Sequence, residues 1–214
     1  MTTPLVVIGA GGFGREVLDV VAAINAERSD NIYEIIGVVD DAPSEKNLAR
    51  LRARGIPHIG SESQWLALAP SAHYVIGIGS PTARQAIAER LTRERLREAT
   101  LVHPAAGIGS ASVIGAGSVV CAGAQISTNV ILGRHVHINP NATVGHDSIL
   151  EDFVSVNPAA VVSGDVTVQN RTLIGAGAVI LQGISIGSQS VVGAAACVVR
   201  NVPDSTTVKG IPAR

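Results

Sequence analysis

From Ile108 onward an aliphatic residue recurs at every sixth position without a break: Ile108, Ile114, Val120, Ile126, Leu132, Ile138, Val144, Leu150, Val156, Val162, Val168, Ile174, Ile180, Ile186, Val192 and Val198. An ordinary β-sandwich would instead show a period of two and irregular turns. A period of six specifies a solenoid of short strands. Three hexads close a triangular coil of eighteen residues, and each aliphatic side chain points inward onto its equivalent one coil on. The sixteen hexads make a little over five coils. Small or branched residues stand two places earlier, as at Ser112, Ala124, Val136, Ala160 and Ala178. The place after the aliphatic residue is often glycine (Gly109, Gly115, Gly133, Gly145, Gly175, Gly187, Gly193) or asparagine (Asn139, Asn157). Both tolerate a left-handed backbone, so the corners are expected there. A narrow prism has no room for aromatic rings, and the whole chain has five: Phe13, Tyr33, Trp65, Tyr74 and Phe153.

Residues 1–100 have another character. They hold 23 of the 33 charged side chains and four of the five aromatics. Strand and helix signals alternate: a strand at Leu5–Ile8, a glycine loop at Gly9–Gly14, a helix over Arg15–Ala26, and a strand at Ile35–Val39 ending at Asp40-Asp41. A basic helical stretch follows at Lys46–Arg54, then a strand at His73–Ile78, Gly79-Ser80-Pro81, and a helix over Thr82–Glu98. That order implies a small parallel sheet covered by helices. Two domains are expected, residues 1–100 and 101–214, with the boundary near Thr100–Pro104.

Composition excludes several classes. The chain is 46% hydrophobic and 15% charged, which is unlike intrinsic disorder. No stretch approaches the ~18 apolar residues of a membrane helix. The opening Met-Thr-Thr-Pro lacks the basic start of a secretion signal. Net charge is −1 with no basic block, so nucleic acid and membrane surfaces are not expected partners. The two cysteines, Cys121 and Cys197, lie far apart and read as small apolar fillers in a reducing cytoplasm.

Gly9 to Gly14 fits G-x-G-x-x-G between a strand and a helix, where free backbone N–H groups favour a phosphate. Asp40 ends the second strand, where a ribose acceptor belongs, yet ~100 residues cannot supply the two mononucleotide halves that grip a dinucleotide. In the coils, the pair His146-Asp147 suits general-base chemistry, with Asp147 or Glu151 to orient the imidazole. His146 takes the third place of its hexad, outward at a corner, and Gly164 lies one coil above it, leaving room for a ligand. Asn139, Asn157, Ala176 and Ala194 share a different edge. His135 and His137 read as plain outward-facing residues, because their spacing does not match a zinc site; no metal is expected.

The hexads, of the form I-G-A-G-S-V at Ile114–Val119, resemble the hexapeptide-repeat acyltransferases with a left-handed parallel β-helix. The combination of G-A-G-G-F-G-R-E at Gly9–Glu16, V-V-D-D at Val38–Asp41, G-I-G-S at Gly77–Ser80, I-N-P-N-A-T-V-G-H-D at Ile138–Asp147 and G-I-P-A-R at Gly210–Arg214 resembles one branch over the full length. That branch is the sialic acid O-acetyltransferase-like and nucleotide-sugar N-acetyltransferase group, whose members carry a Rossmann-like α/β domain before the helix. The resemblance implies an acetyl-CoA-dependent acetyltransferase acting on a nucleotide-linked amino sugar for a cell-surface glycan. The alternatives are acetylation of a sugar hydroxyl and a non-catalytic scaffold.

The same resemblance implies His146 as base and Asp147 as its supporting acid. It implies substrate contacts at Gly11, Gly12, Phe13, Asp40, Asp41, Gly79, Ser80 and Asn139. Coenzyme A contacts are implied at Ser155, Gly164, Ala176, Ala194 and Lys209. Relatives often carry His where Phe13 stands, and some carry His where Ser155 stands. Because His146 and the Asn139–Ala176–Ala194 track fall on different edges of one prism, a homotrimer with active sites shared between chains is expected.

Overall fold

The computed structural model describes residues 2–27, 32–68 and 71–214. The first part runs β1 (Thr3–Ile8), α1 (Gly12–Ala26), β2 (Tyr33–Val39), α2 (Glu45–Arg52), α3 (Glu62–Leu66), β3 (His73–Ile76) and α4 (Pro81–Arg93). The three strands form a parallel sheet in the order β2–β1–β3. Leu5 to Ile8 are buried, as a central parallel strand covered on both faces must be. The α1 stripe of Val17, Val20 and Val21 packs onto it.

Element ends differ from expectation for local reasons. α1 starts at Gly12, inside the glycine loop, and β3 stops at Ile76 because Gly77 must pass against Gly14: a Cβ on Gly77 would lie 2.5 Å from the Gly14 Cα. α3 is too short to show a period, yet Ser61 and Gln64 make a reciprocal capping box at its start. α4 ends at Arg93 rather than Glu98, and Arg95 takes a left-handed φ of 57°.

From Leu101 the chain is a parallel β-solenoid of about six coils, with eighteen two-residue strands on three faces. The first face stacks Leu101–Val102, Val119–Val120, His137–Ile138, Ser155–Val156, Leu173–Ile174, Val191–Val192 and Thr207–Val208. The second begins at Gly107–Ile108 and the third at Val113–Ile114. Register advances by eighteen, as in His137 opposite Ser155. The inward aliphatics form one continuous core. The exception is the open first end, where Ile108 is 40% exposed because no coil lies beneath it. Buried hydroxyls also join coils: Ser118 Oγ donates to the Gly133 carbonyl at 3.0 Å and accepts from the Val136 N–H at 2.9 Å.

The corners are not where the glycines suggested. The left-handed residue comes three places after each aliphatic one, at Ala111, Gly117, Gly123, Asn129, His135, Asn141, Asp147 and so on to Ala195. The glycines one place after the aliphatic serve close stacking instead. A Cβ on Gly145 or Gly175 would strike the backbone at Gly164 or Ala194 in the next coil. The tail from Asn201 leaves the six-residue register but does not leave the solenoid. Val202 bridges Ile186, and Thr207 pairs with Val191, both sixteen residues apart, so the last coil is two residues short.

The α/β part packs on the first face. Leu101, Val119 and Cys121 join the cluster of Val17, Val20 and Val21, while Phe153 joins Trp65, Tyr74, Ile76, Ile87 and Leu91. The single coil aromatic therefore sits outside the prism, in this seam. Burial pushes the Cys121 thiol up to about 12, so it stays a neutral filler.

Candidate active site

The glycine loop divides into structural and open positions. Gly9 has φ +108°, and Gly14 approaches the Gly9 carbonyl too closely to admit a side chain. Gly11, Gly12 and Gly79 have nothing within 4 Å of where a Cβ would stand. Gly11 caps α1 without a side-chain bond, and the first turn holds no acidic residue. The N–H groups there are free for an anion, and the helix dipole favours one.

Asp40 lies beside this loop. Its carboxylate accepts from the Ala10 N–H at 2.8 Å and from the Ala42 N–H at 3.0 Å, so it fastens the loop from below. Asp41 accepts from the Glu62 N–H at 2.7 Å. Ser80 caps α4. Phe13 stacks on His137 with ring centres 4.3 Å apart.

His146 and Asp147 occupy the edge between the second and third faces. Asp147 takes the left-handed corner (φ 61°), which turns its carboxylate back onto its neighbour. Nδ1 of His146 lies 2.7 Å from Asp147 Oδ2, and Asn129 donates to Asp147 Oδ1 at 3.0 Å. The hydrogen bond from His146, then that from Asn129, holds the Asp147 carboxyl below its usual range. An ionised carboxylate can only accept, so Nδ1 carries the proton and Nε2 is the basic nitrogen. Glu151 is engaged elsewhere, accepting from the Asn170 N–H at 3.0 Å. Asn129 was not anticipated, although eighteen-residue stacking places it directly under Asp147. Gly164 does lie above His146, but the space it leaves is filled by the imidazole: a Cβ there would stand 2.6 Å from Nε2.

The edge between the first and second faces presents Ala176 and Ala194, both exposed, with Lys209 exposed at its far end. The edge is thus a track of small side chains with a cation at its end. Asn139 is buried; its amide donates to the Val156 carbonyl at 3.0 Å and lies 3.4 Å from Asn157 Oδ1, an internal role.

Two expectations are corrected here. Ser155 cannot touch coenzyme A: it is 1% exposed, and its hydroxyl accepts from Arg84 and donates to the Gly79 carbonyl at 3.2 Å. His135 and His137 are not plain surface residues but are buried, at 0% and 1% exposure, because the α/β part covers their face of the prism. Gly117, one coil below, leaves room for the His135 ring, which stacks on Phe153 at 5.3 Å. Burial lowers His135 to about 4 and His137 well below its ordinary value, so both are neutral. Among the described residues no group of three or more His, Cys, Asp and Glu could hold a metal ion.

One chain does not bring these parts together. The α/β part covers the first face, whereas His146 stands on the edge opposite that face. An open cleft of about 590 Å³ lies over the third face, lined by Gln85, Ile131, Ile149 and Phe153 among others, and His146 does not line it.

Residues 4–91 match the PglD N-terminal domain. No curated protein matches the chain in sequence. Among solved structures, the acetyltransferase domain of PglB from Neisseria gonorrhoeae is 31% identical, with a TM-score of 0.83, over 100% of this chain and 99% of that one. The same domain has been solved with acetyl coenzyme A. A histidine-to-asparagine mutant of perosamine N-acetyltransferase from Caulobacter crescentus, in complex with CoA and GDP-perosamine, is 27% identical with a TM-score of 0.88, over 100% and 97% of the two chains. WeeI from Acinetobacter baumannii is 26% identical, with a TM-score of 0.83, over 100% and 99%. The repeat, the α/β part ahead of it and this full-length similarity have one conclusion: the chain belongs to the acetyl-CoA-dependent, hexapeptide-repeat nucleotide-sugar acetyltransferases that carry a PglD N-terminal domain.

Proposed function

We propose that this enzyme transfers the acetyl group of acetyl-CoA to the amino group of a nucleotide-linked amino sugar, in the cytoplasm, for a cell-surface glycan. The observation that carries this reading is the His146–Asp147 pair on an open edge, with Nδ1 bonded to the carboxylate and Nε2 left as the base. The Caulobacter relative's GDP-perosamine supports the substrate class.

The residues divide the work as follows. Residues 1–100 bind the nucleotide sugar. The free N–H groups at Gly12 and Phe13 hold the pyrophosphate beside the open Gly11, and Gly79 and Ser80 border the other side. Asp41 reaches nucleotide hydroxyl or amide groups with its remaining oxygen, and Asp40 acts chiefly by fixing the loop. Residues 101–214 hold the acetyl donor along Ala176 and Ala194, with Lys209 facing its phosphates. As the amine attacks the thioester carbon, His146 Nε2 takes a proton from nitrogen. Asp147 stabilises the imidazolium that forms, and His146 then returns the proton to the departing coenzyme A sulfur. The products are an amide and free coenzyme A thiol.

A homotrimer with shared sites completes this arrangement. The His146 edge of one chain would meet the alanine track and α/β part of its neighbour. The third face next to His146 exposes Val113, Ile131 and Ile149 in a column, at 57%, 46% and 41%, an apolar stripe that such an interface would cover. The direct test is thiol release from acetyl-CoA across a panel of nucleotide amino sugars. Release that requires both nucleotide and amine is the expected result. Release with hydroxyl acceptors alone would make it an O-acetyltransferase, and no release with any acceptor would leave a scaffold.

A further inference from the structure

Among the described residues Arg84 is the largest fully buried side chain, at 0% exposure. It lies in the first turn of α4, four residues after Ser80, where a surface arginine would be ordinary. Instead the side chain crosses the seam between the α/β part and the solenoid, and its guanidinium makes six contacts. Nε donates to the His135 carbonyl at 2.9 Å. Nη1 donates to the carbonyls of Ile78 at 2.9 Å and Gly79 at 3.2 Å. Nη2 donates to the carbonyls of Phe153 at 2.7 Å and Val154 at 3.3 Å, and to Ser155 Oγ at 2.9 Å. Ser155 Oγ in turn donates to Gly79, so the loop is held twice.

Every acceptor is a neutral carbonyl or hydroxyl; among the described residues no carboxylate answers the charge. Burial lowers the guanidinium to about 9, which still leaves it protonated at neutral pH. A seam that needed only cohesion would be served as well or better by an apolar side chain, because a buried charge carries a desolvation cost. What the guanidinium supplies instead is geometry. Its planar, fixed fork ties three chain segments into one frame: the Ile78–Gly79 loop, the corner at His135 and the next corner at Phe153–Ser155.

We propose that Arg84 is a positioning residue, which locks the Gly79–Ser80 loop of the nucleotide-sugar site onto the solenoid so that the bound sugar is presented at a fixed height along the coils. The proposal rests on the assignment of that loop to substrate. Its action is through the loop carbonyls, not through contact with the sugar.

The test uses full-length Arg84→Met, Arg84→Lys and Ser155→Ala. Arg84→Met keeps the length and removes the fork. It is expected to keep its assembly state but to melt at a lower temperature, because the carbonyls of Ile78, Gly79, His135, Phe153 and Val154 lose the guanidinium donor. Its kcat/KM for the nucleotide sugar is expected to fall tenfold or more, with KM for acetyl-CoA within about twofold. Arg84→Lys, with charge but no fork, should recover little, and Ser155→Ala should lie between. Hydrogen exchange of residues 77–83 should speed up in Arg84→Met.

Parental sugar kinetics in Arg84→Met would overturn the proposal, as would losses for both substrates that simply follow a fall in melting temperature. If Arg84→Met does not fold, parental kinetics in Arg84→Lys and Ser155→Ala would do the same. A parent protein that transfers no acetyl group refutes the functional reading instead. In that case unchanged exchange at 77–83 in the variants would overturn the lock by itself.

Discussion

The imidazole of His146 occupies the space that any side chain at position 164 would need: a Cβ on Gly164 would stand 2.6 Å from both Nε2 and Cε1 of the ring. The glycine one coil above the histidine therefore acts on its placement, and the Asp147 carboxylate acts from the other side at 2.7 Å. Gly164→Ala is expected to displace the ring and lower kcat about tenfold or more. His146→Ala should lower it by about 10² or more, with coenzyme A still bound. Steady-state kinetics on folded protein decide this. Near-parental turnover in His146→Ala would remove it from the chemistry.

Asp40 provides a second test. Its carboxylate holds the Ala10 and Ala42 N–H groups, so Asp40→Ala leaves a buried donor at Ala10 unpaired, at a cost of about 1–3 kcal/mol. The expected result is a lower melting temperature and a raised KM for the nucleotide sugar, with KM for acetyl-CoA unchanged. Tight binding of NAD by the parent protein would overturn the assignment of this loop.

The buried histidines predict an acid-labile seam. Because His135 is lowered from 6.5 to about 4, the unfolded chain binds a proton between those values that the native chain refuses. Stability is therefore full above pH 6.5 and falls as the pH drops toward 4, by about 3 kcal/mol for this residue. His137 acts in the same direction. Urea unfolding at pH 7.5 and 4.5, at one protein concentration, should show the loss. His135→Phe, which keeps the stack on Phe153 without the titration, should reduce it. Equal losses in both proteins would contradict the account.

Subunit exchange examines the shared site. His146→Ala keeps the alanine track, and Ala176→Phe blocks the track while keeping the histidine. Mixed and allowed to exchange, the two inactive proteins should regain part of the parental activity, because some interfaces then pair an intact base with an intact track. A fully active monomer, or no recovery after exchange demonstrated by mass spectrometry, contradicts sharing.

The solenoid was legible in the sequence because stacking eighteen residues apart demands an aliphatic residue at each sixth position, and nothing else produces that period. The corners were misplaced because glycine has two uses. At Gly145 it admits the coil above, whereas the left-handed turn falls to Asp147 and its equivalents. His146 was singled out by its carboxylate neighbour, and Gly11 and Gly12 by the loop motif; the structure shows the histidine bonded to that carboxylate and the two glycines open. His135, His137 and Ser155 were misread because no repeat pattern reveals which prism face another part of the chain will cover. Arg84 gave no signal at all, since an arginine near a helix start is ordinarily solvated.

The most direct measurement of the central claim is the identity of the bond made. The purified protein is incubated with acetyl-CoA and a nucleotide-linked amino sugar, and separately with the same amino sugar lacking the nucleotide. The product is read by NMR and by its resistance to mild base. The account predicts an amide on the sugar nitrogen, stable to base and formed only when the nucleotide is present. A base-labile ester, or equal acetylation of the free sugar, would contradict it.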